Sequence, residues 1–378
     1  MFVEHLFEIN PITFLLIAIS IVYMISKYTL KGQSYKKAEC DEPSLSYLTY
    51  KSESDTQSQE TKLNSISVLS YNLLAYNFTT PEWFPYCHEQ YLAPQYRAPR
   101  ILNEIEKSNL DILCLQECDF DLFMDYYKPN LEALGYTCKI KIGSTKKKVS
   151  ICTAYKSSIL KEEKYFHLNL NDGLASIDDS YLKHKEAHVF QFQHLNSGKS
   201  FVLVNTHLFW NPKTEWIKYG QLHHILRFIE NNFHKNLPTI VGGDINSTPD
   251  SNVLKLVYKI PPQINNESED NVKNKKFIEQ FWSEANKLKF RDLRSAYDVY
   301  KVSAADDSTA FVENHPDYTT YTHEFNGNID YIFYSSENLE LVQLMKIPTH
   351  DTEIKGLKIP NHRYPSDHLK IGAKFKFR

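Results

Sequence analysis

The sequence predicts an α+β protein behind one membrane-spanning helix, and three observations predict it. From Ser65 onward, short apolar runs that read as strands alternate with segments of helical periodicity. The last run, HLKIGAKFKF (368–377), puts Leu369, Ile371, Ala373, Phe375 and Phe377 on one face and Lys370, Lys374 and Lys376 on the other. Ahead of them all, Ile9–Ser26 carries no charge and comes close to the ~20 residues a helix needs to cross a hydrocarbon core.

That front segment, residues 1–30, is expected to be a single-pass anchor. A signal peptide would want a basic start and a small-residue cleavage site, but here the start carries Glu4 and Glu8. Lys27, Lys31, Lys36 and Lys37 all follow the segment and no Lys or Arg precedes it, so the rest of the chain is expected in the cytosol. The glycosylation acceptor Asn246-Ser247-Thr248 falls within the candidate site described below, which agrees with a cytosolic location. Residues 31–64 turn polar, and KSESDTQSQETK has no apolar period, so a flexible linker is expected there.

Residues 65–378 form the expected catalytic domain. ISVLSYN (66–72) and DILCLQE (111–117) read as buried strands, with a helix between them that places Ile101, Leu102 and Ile105 on one face. SFVLVNTHLF (200–209) is another strand, followed by a helix over 215–233 with Leu222, Ile225, Leu226 and Ile229 at helical spacing. Next comes VGGDINSTPDS (241–251), whose two glycines are expected to let the backbone turn tightly. PPQINNESEDNVKNKK (261–276) reads as a surface loop, NSGKS (196–200) as a hairpin turn, and NIDYIFYS (328–335) as a strand. Neither an internal repeat nor a leucine-rich repeat is present.

Composition narrows the function. A hydrophobic fraction of 42% and a charged fraction of 24% are those of a globular protein, and a net charge of −3 excludes a globally basic nucleic-acid binder. The six cysteines show neither a CxxC pair nor zinc-ligand spacing and read as small core residues in a reducing compartment.

Chemistry gathers where the apolar runs meet polar residues: Asn72 in SYN, Glu117 in LQE, His207 in NTH, Asp244 and Asn246 in GGDIN, Asp330 in NID, and Asp367 with His368 in SDH. Each alone is weak, since an Asp beside a Gly is usually a turn former. Together they form a set of carboxylates, carboxamides and imidazoles on rigid strand ends. Oxygen donors without thiolate suit a hard cation such as Mg²⁺, and neutral donors can meet a phosphate that extra carboxylates would repel. The set therefore points to metal-assisted attack of water on a phosphoester. GxSxG and HExxH are absent, and GKS lacks the first glycine of a phosphate-binding loop.

VLSYNLLA, QYR, CLQE, VNTHLFWNPK, VGGDINSTPDS, RSAYD, YTTYTHEFNGNIDYIFYS and PNHRYPSDHL, in that order, resemble the endonuclease/exonuclease/phosphatase superfamily over residues 65–378. They are most similar to its branch of carbon-catabolite-repressor-type deadenylases, nocturnin, Angel proteins and 2′,5′-phosphodiesterases. The resemblance implies a four-layer αββα sandwich of two mixed sheets flanked by helices. It implies one or two Mg²⁺ ions, with Mn²⁺ as substitute, held by Glu117, Asn72 and Asp367. It gives Asp244 the attacking water, Asn246 metal or phosphate, His207 and His368 the scissile phosphate, Asp330 the tautomer of His368, and Phe325 a stacked base. Pro94 stands where relatives carry an aromatic, Ile245 replaces a Phe, and Tyr364 replaces another.

The activity implied is a Mg²⁺-dependent 3′-exoribonuclease acting on RNA 3′ ends, with poly(A) as substrate. Lacking a leucine-rich repeat, the chain is not expected to dock into a deadenylase complex. Two alternatives keep the fold: a membrane-associated sphingomyelinase, or a 2′,5′-phosphodiesterase or nucleotide phosphatase. A third is an inactive RNA- or protein-binding scaffold, against which stands the complete set of polar site residues.

Overall fold

The structure is a computed structural model. It describes residues 47–49, 63–142, 148–174, 183, 185–263, 269–287, 292–300, 314–348 and 352–378. Of the two units into which the chain divides, Met1–Lys37 and Ala38–Arg378, the first lies wholly outside the described residues.

Among the described residues no helix is long and apolar enough to cross a membrane. This corrects the expected architecture in its first element, the membrane-spanning helix ahead of the α+β fold. The expected localisation, a single-pass anchor with a cytosolic catalytic domain, falls with it. That expectation rested on length and lack of charge over residues 9–26, which lie outside the described residues, and an uncharged run of that length is not by itself a membrane span.

Among the described residues one sheet has seven strands, in the order β1 (Tyr47–Thr49), β14 (Leu339–Met345), β15 (Ile371–Phe377), β2 (Ser65–Asn72), β3 (Ile112–Asp119), β5 (Val149–Lys156) and β4 (Tyr136–Ile140). A second has six: β10 (Leu293–Ser295), β13 (Asp330–Ser335), β9 (Thr239–Asp244), β8 (Ser200–His207), β7 (Glu186–His194) and β6 (Leu160–Asn169). Both sheets are mixed, because β2 runs parallel to β3 and β8 parallel to β9 while the other pairs are antiparallel. Parallel neighbours need a long crossover, and helices supply it. Helix α1 (Pro94–Ser108) joins β2 to β3, and α2 (Glu215–Asn232) joins β8 to β9. Strand β1 falls inside the stretch expected to be a linker and pairs with the edge strand β14.

The alternation of side chains across each strand divides the core. Ile66, Val68, Ile112 and Cys114 of the first sheet meet Phe190, Phe192, Phe201 and Leu203 of the second. Each fully buried Phe there contributes roughly 1.5–3 kcal/mol. On the outer face of the second sheet, Val202, Val204, Val241 and Phe333 pack against Ile217, Leu222 and Ile225 of α2. Against the first sheet, α1 buries Ala98, Ile101 and Ile105, and its Glu104 pairs with Lys370 at 3.2 Å. The layers run helix, sheet, sheet, helix.

Two local expectations are corrected. The stretch 261–276 is not all loop, because α3 (Glu269–Ala285) begins inside it. Its polar start hides a stripe that begins two residues past that stretch, with Ile278, Phe281 and Ala285 buried at helical spacing. Gly242 and Gly243 make no turn: they lie within β9. A Cβ on Gly243 would sit 2.1 Å from the Thr206 carbonyl oxygen, and one on Gly242 would sit 3.2 Å from Cys114 Sγ. Glycine here lets the adjacent strand β8 approach at Gly243 and the facing sheet at Gly242. The hairpin at NSGKS forms with Gly198 at φ +69°. The five described cysteines are free, and Cys114, Cys118 and Cys152 are buried.

Candidate active site

Strand register assembles the site. Parallel pairing of β8 with β9 sets His207 beside Asp244, and antiparallel pairing of β9 with β13 sets Asp330 on its other side. Three adjacent strands thus present one row, with Asp244 in the middle. Asp330 opens its strand rather than closing it, and antiparallel pairing still brings it to the row. The first sheet supplies the opposite wall, where Asn72 ends β2 and Glu117 lies near the end of β3.

Asp244 is 1% exposed and fully engaged. Its Oδ1 accepts from the Asn246 N–H at 2.9 Å and its Oδ2 from Asn72 Nδ2 at 3.0 Å. The Nε2 atoms of His207 and His368 lie 3.4 Å and 3.8 Å from Oδ2. Burial pushes the Asp244 carboxyl up to about 7, with His368 opposing the rise and Asp330 adding to it.

The two imidazoles differ in charge. Burial would lower His368, but Asp330, Asp367 and Asp244 together hold it well above the usual histidine range, so it is an imidazolium. Its Nδ1–H donates to Asp330 Oδ2 at 2.8 Å, and that oxygen also accepts from Thr319 Oγ1 at 2.6 Å. His207 is held well below the histidine range by burial, then by Lys185 and His368, and is neutral.

Glu117 and Asp367 are half-buried and line the same cavity of about 590 Å³ that opens onto Asp244, Asn246, His207 and His368. Glu117 Oε2 accepts from the Ala75 N–H at 3.1 Å, and its backbone holds φ +51° at a register shift between Leu115 and Cys118. Asp367 rises to about 6 through burial, with His368 opposing it and Glu117 adding to it. Asn72 and Asp330 do not line the cavity; they stand behind Asp244 and His368 and touch them directly.

The donors fit a hard divalent cation. All are carboxylate, carboxamide or imidazole, and the buried Oδ1 atoms of Asp330 and Asp367 have no hydrogen-bond partner. One atom each from Asp244, Asp330 and His368 lies within 4.8 Å of the others. In that trio the Asp330–His368 hydrogen bond already occupies one atom of each residue. Glu117 and Asp367, facing the cavity, have the freer oxygens.

Asn246 is held at φ +53°: its Nδ2 donates to the Leu208 carbonyl at 3.1 Å, and its own carbonyl accepts from Lys218 Nζ at 2.6 Å. Phe325 is 43% exposed on the separate hairpin β11 (Thr320–Tyr321) and β12 (Asn326–Gly327) and does not line the cavity. Several participants escape sequence reasoning. Lys218 is 3% exposed, and burial brings it down to about 8. A lysine on the apolar face of α2 was the signal that could have found it. Arg97, within the QYR segment, donates to the Leu73, Leu74 and Pro365 carbonyls and so ties the Asn72 loop to the Asp367 loop. Thr319 and Ser366 lie inside the YTTYTHEFNGNIDYIFYS and SDH motifs but carry no expected role there; Ser366 Oγ–H donates to the Asn72 carbonyl at 2.7 Å.

Two packed mixed sheets with this row of polar groups at their ends define a class of fold, and the comparisons name it. The chain belongs to the endonuclease/exonuclease/phosphatase family, whose model matches residues 69–368. It is 28% identical over 370 residues to the CCR4-Not complex 3′-5′-exoribonuclease subunit Ccr4 of Candida glabrata, covering 89% of this chain and 39% of that protein. It is 29% identical over 337 residues to 2′,5′-phosphodiesterase 12 of Homo sapiens, covering 83% of this chain and 52% of that one. It thus spans 39% and 52% of the length of these two curated relatives. The fold is that of ANGEL2, described as a 2′,3′-cyclic phosphatase, with a TM-score of 0.71, 23% identity, and 89% and 98% of the two chains covered. Human nocturnin gives a TM-score of 0.61, with 22% identity over 89% and 99% of the chains.

Proposed function

We propose that the protein is a Mg²⁺-dependent phosphodiesterase that works as a 3′-exoribonuclease and prefers poly(A). The observation that carries the reading is Asp244: a buried carboxyl pushed to about 7, between a neutral and a cationic imidazole, facing a cavity with further oxygen donors. The exoribonuclease among the relatives supports an RNA 3′ end as substrate. Residues 65–378, which hold every site residue, are the catalytic domain in this reading.

Glu117, Asp367 and, more remotely, Asn72 would hold the cation, which when bound neutralises charge on the substrate phosphate. The remaining work falls to the chain. Asp244, poised near neutrality, takes the proton of the attacking water. Asn72 and the Asn246 N–H fix its two oxygens. His207, neutral, donates a hydrogen bond to the phosphate, and His368, cationic through Asp330, meets the negative charge that develops there. Asn246 turns toward the phosphate, and Phe325 stacks a base of the substrate.

A second reading is favoured by one comparison: 29% identity to a 2′,5′-phosphodiesterase puts 2′,5′-linked adenylates beside the 3′,5′-linked chain as substrates. One experiment separates them. The full-length chain and its Glu117→Ala variant are incubated with 5′-labelled oligomers of A, C, G and U and with 2′,5′-linked oligoadenylate, with Mg²⁺ or EDTA. Stepwise shortening of oligo(A) from the 3′ end, dependent on Mg²⁺ and lost in the variant, is the expected result. Cleavage of the 2′,5′-linked oligomer alone would move the substrate, and no cleavage of any RNA would end the reading.

A further inference from the structure

The sequence has four tryptophans. Trp216 is 2% exposed in the core beneath α2, and Trp282 packs against the same core. The other two, Trp83 and Trp210, are 55% and 61% exposed, and both line the cavity over Asp244. They come from different loops. Trp83 lies between β2 and α1, where its N–H donates to the Thr80 carbonyl at 3.1 Å. Trp210 follows β8, with its ring centroid 6.1 Å from that of Phe209. Exposed indoles gathered at one polar-floored cavity mark a surface that a ligand covers.

Charge at the mouth narrows the ligand. Lys183 and Lys185 line the cavity as well, with Lys183 Nζ 5.4 Å from the Phe209 ring centroid. Glu117 and Asp244 act on Lys185. A ligand that offers a flat π-face to an indole and an anionic oxygen to a lysine satisfies both features. A nucleotide does so, whereas an acyl chain would leave two lysines facing hydrocarbon. Phe325 stands on a separate hairpin and does not belong to this wall.

We infer that Trp83 and Trp210 form a second base-stacking subsite, distinct from Phe325, which holds one nucleobase of the bound oligonucleotide while Lys185 meets a phosphate oxygen. The inference rests on the reading of the site as an RNA phosphodiesterase and adds to it where a further base is gripped.

Binding of 5′-fluorescein oligoadenylates to the full-length chain in EDTA, followed by anisotropy, tests it without turnover. A single abasic ribose is stepped along the oligomer from its 3′ end. In the wild type, one abasic position besides the one read by Phe325 should weaken binding on the order of 10-fold. The Trp83→Ala/Trp210→Ala double variant should bind all the oligomers weakly and lose that penalty, whereas Phe325→Ala should keep it. Trp83→Phe/Trp210→Phe, which preserves the π-faces, should retain most of the affinity and guards against a folding artefact. If this Phe325-independent penalty persists unchanged in the double variant the inference is overturned, as it is if the wild type shows no penalty beyond the one that Phe325→Ala removes. A double variant that loses affinity for sphingomyelin vesicles but keeps RNA affinity would reassign the surface to lipid. Cleavage of oligo(A) in Mg²⁺ by the same preparations reports separately on the underlying reading, which survives if only the Trp dependence fails.

Discussion

The two β-α-β units of the molecule do the same topological job in different ways. In the second sheet, β8-α2-β9 is regular to its last residue: β9 is buried throughout, and His207 and Asp244 are the closing residues of two strands in register. In the first sheet, β2-α1-β3 is irregular where it matters. Glu117 sits inside β3 at a register shift with φ +51°. A non-glycine residue held there costs about 1–3 kcal/mol and persists only where its surroundings over-determine it. The regular unit holds the groups that handle a proton, where a small displacement is costly. The strained unit turns an oxygen donor out of its strand toward the cavity.

The largest effect should come from the regular unit. Asp244→Asn keeps the shape and removes the base, and we expect kcat to fall on the order of 10²–10⁴-fold with KM nearly unchanged. Single-turnover cleavage of oligo(A) reads this. The variant should lose about 1–3 kcal/mol in urea, since the amide N–H replaces an oxygen that accepts from the Asn246 N–H or from Asn72 Nδ2. A rate within a factor of a few of wild type would remove Asp244 from the reaction.

The strained unit should respond to metal instead. Glu117→Gln keeps the backbone and removes the charge, and we expect the Mg²⁺ concentration for half-maximal rate to rise at least 10-fold. Activity at saturating Mg²⁺ should recover in part. Loss of rate that no Mg²⁺ concentration restores would place Glu117 with the proton-handling groups and erase the contrast between the two units.

The contrast also explains what was legible. Asn72, His207 and Asp244 announce themselves because an apolar run ends in a polar side chain, and strand pairing alone brings them to one end of the sheets. The groups that tune them come from elsewhere. Thr319 reaches Asp330 from a loop, Arg97 gathers three carbonyls from two loops, and Lys218 rises from a helix to the Asn246 carbonyl. Such partners are set by tertiary approach, and a lysine on an apolar helix face or an arginine inside QYR marks a residue without naming its partner. The same limit misled the reading of the glycines. A pair of glycines before an aspartate suggests a turn, while the structure uses them for close approach inside β9. A membrane helix inferred from one uncharged run, with no packing partner to test it, was the least constrained expectation of all.

The glycine pair offers a graded test within the regular unit. Gly243→Ala drives a Cβ to 2.1 Å from the Thr206 carbonyl oxygen, a backbone atom that can move only with β8. We expect a loss of about 3 kcal/mol in urea unfolding. Gly242→Ala meets Cys114 Sγ at 3.2 Å, a side-chain atom that can shift by a few tenths of an ångström. Its cost should be about 1 kcal/mol or less. Equal losses would mean that the difference between a backbone and a side-chain neighbour does not set the cost.

The smallest expected effect is the most discriminating, because Asn72 belongs to one unit and touches the other. Its Nδ2–H donates to Asp244 Oδ2 and favours the charged carboxylate. The carboxyl must be deprotonated to act, so kcat/KM should fall tenfold per pH unit below its pKa. That acid limb lies at or below about 7, since a bound cation draws the value down. Asn72→Ala removes the hydrogen bond, destabilises the carboxylate and should move the limb to higher pH. A single hydrogen bond to a charged group is worth about 1.5–3 kcal/mol and one pH unit is 1.36 kcal/mol, so the shift should be about one to two units. If Asn72 serves chiefly as a metal ligand, the limb should stay in place while the Mg²⁺ requirement rises, as for Glu117→Gln. The pH profile at saturating Mg²⁺ therefore decides whether Asn72 positions the base from behind, as its burial and its bond to Asp244 indicate, or belongs with the donors that face the cavity.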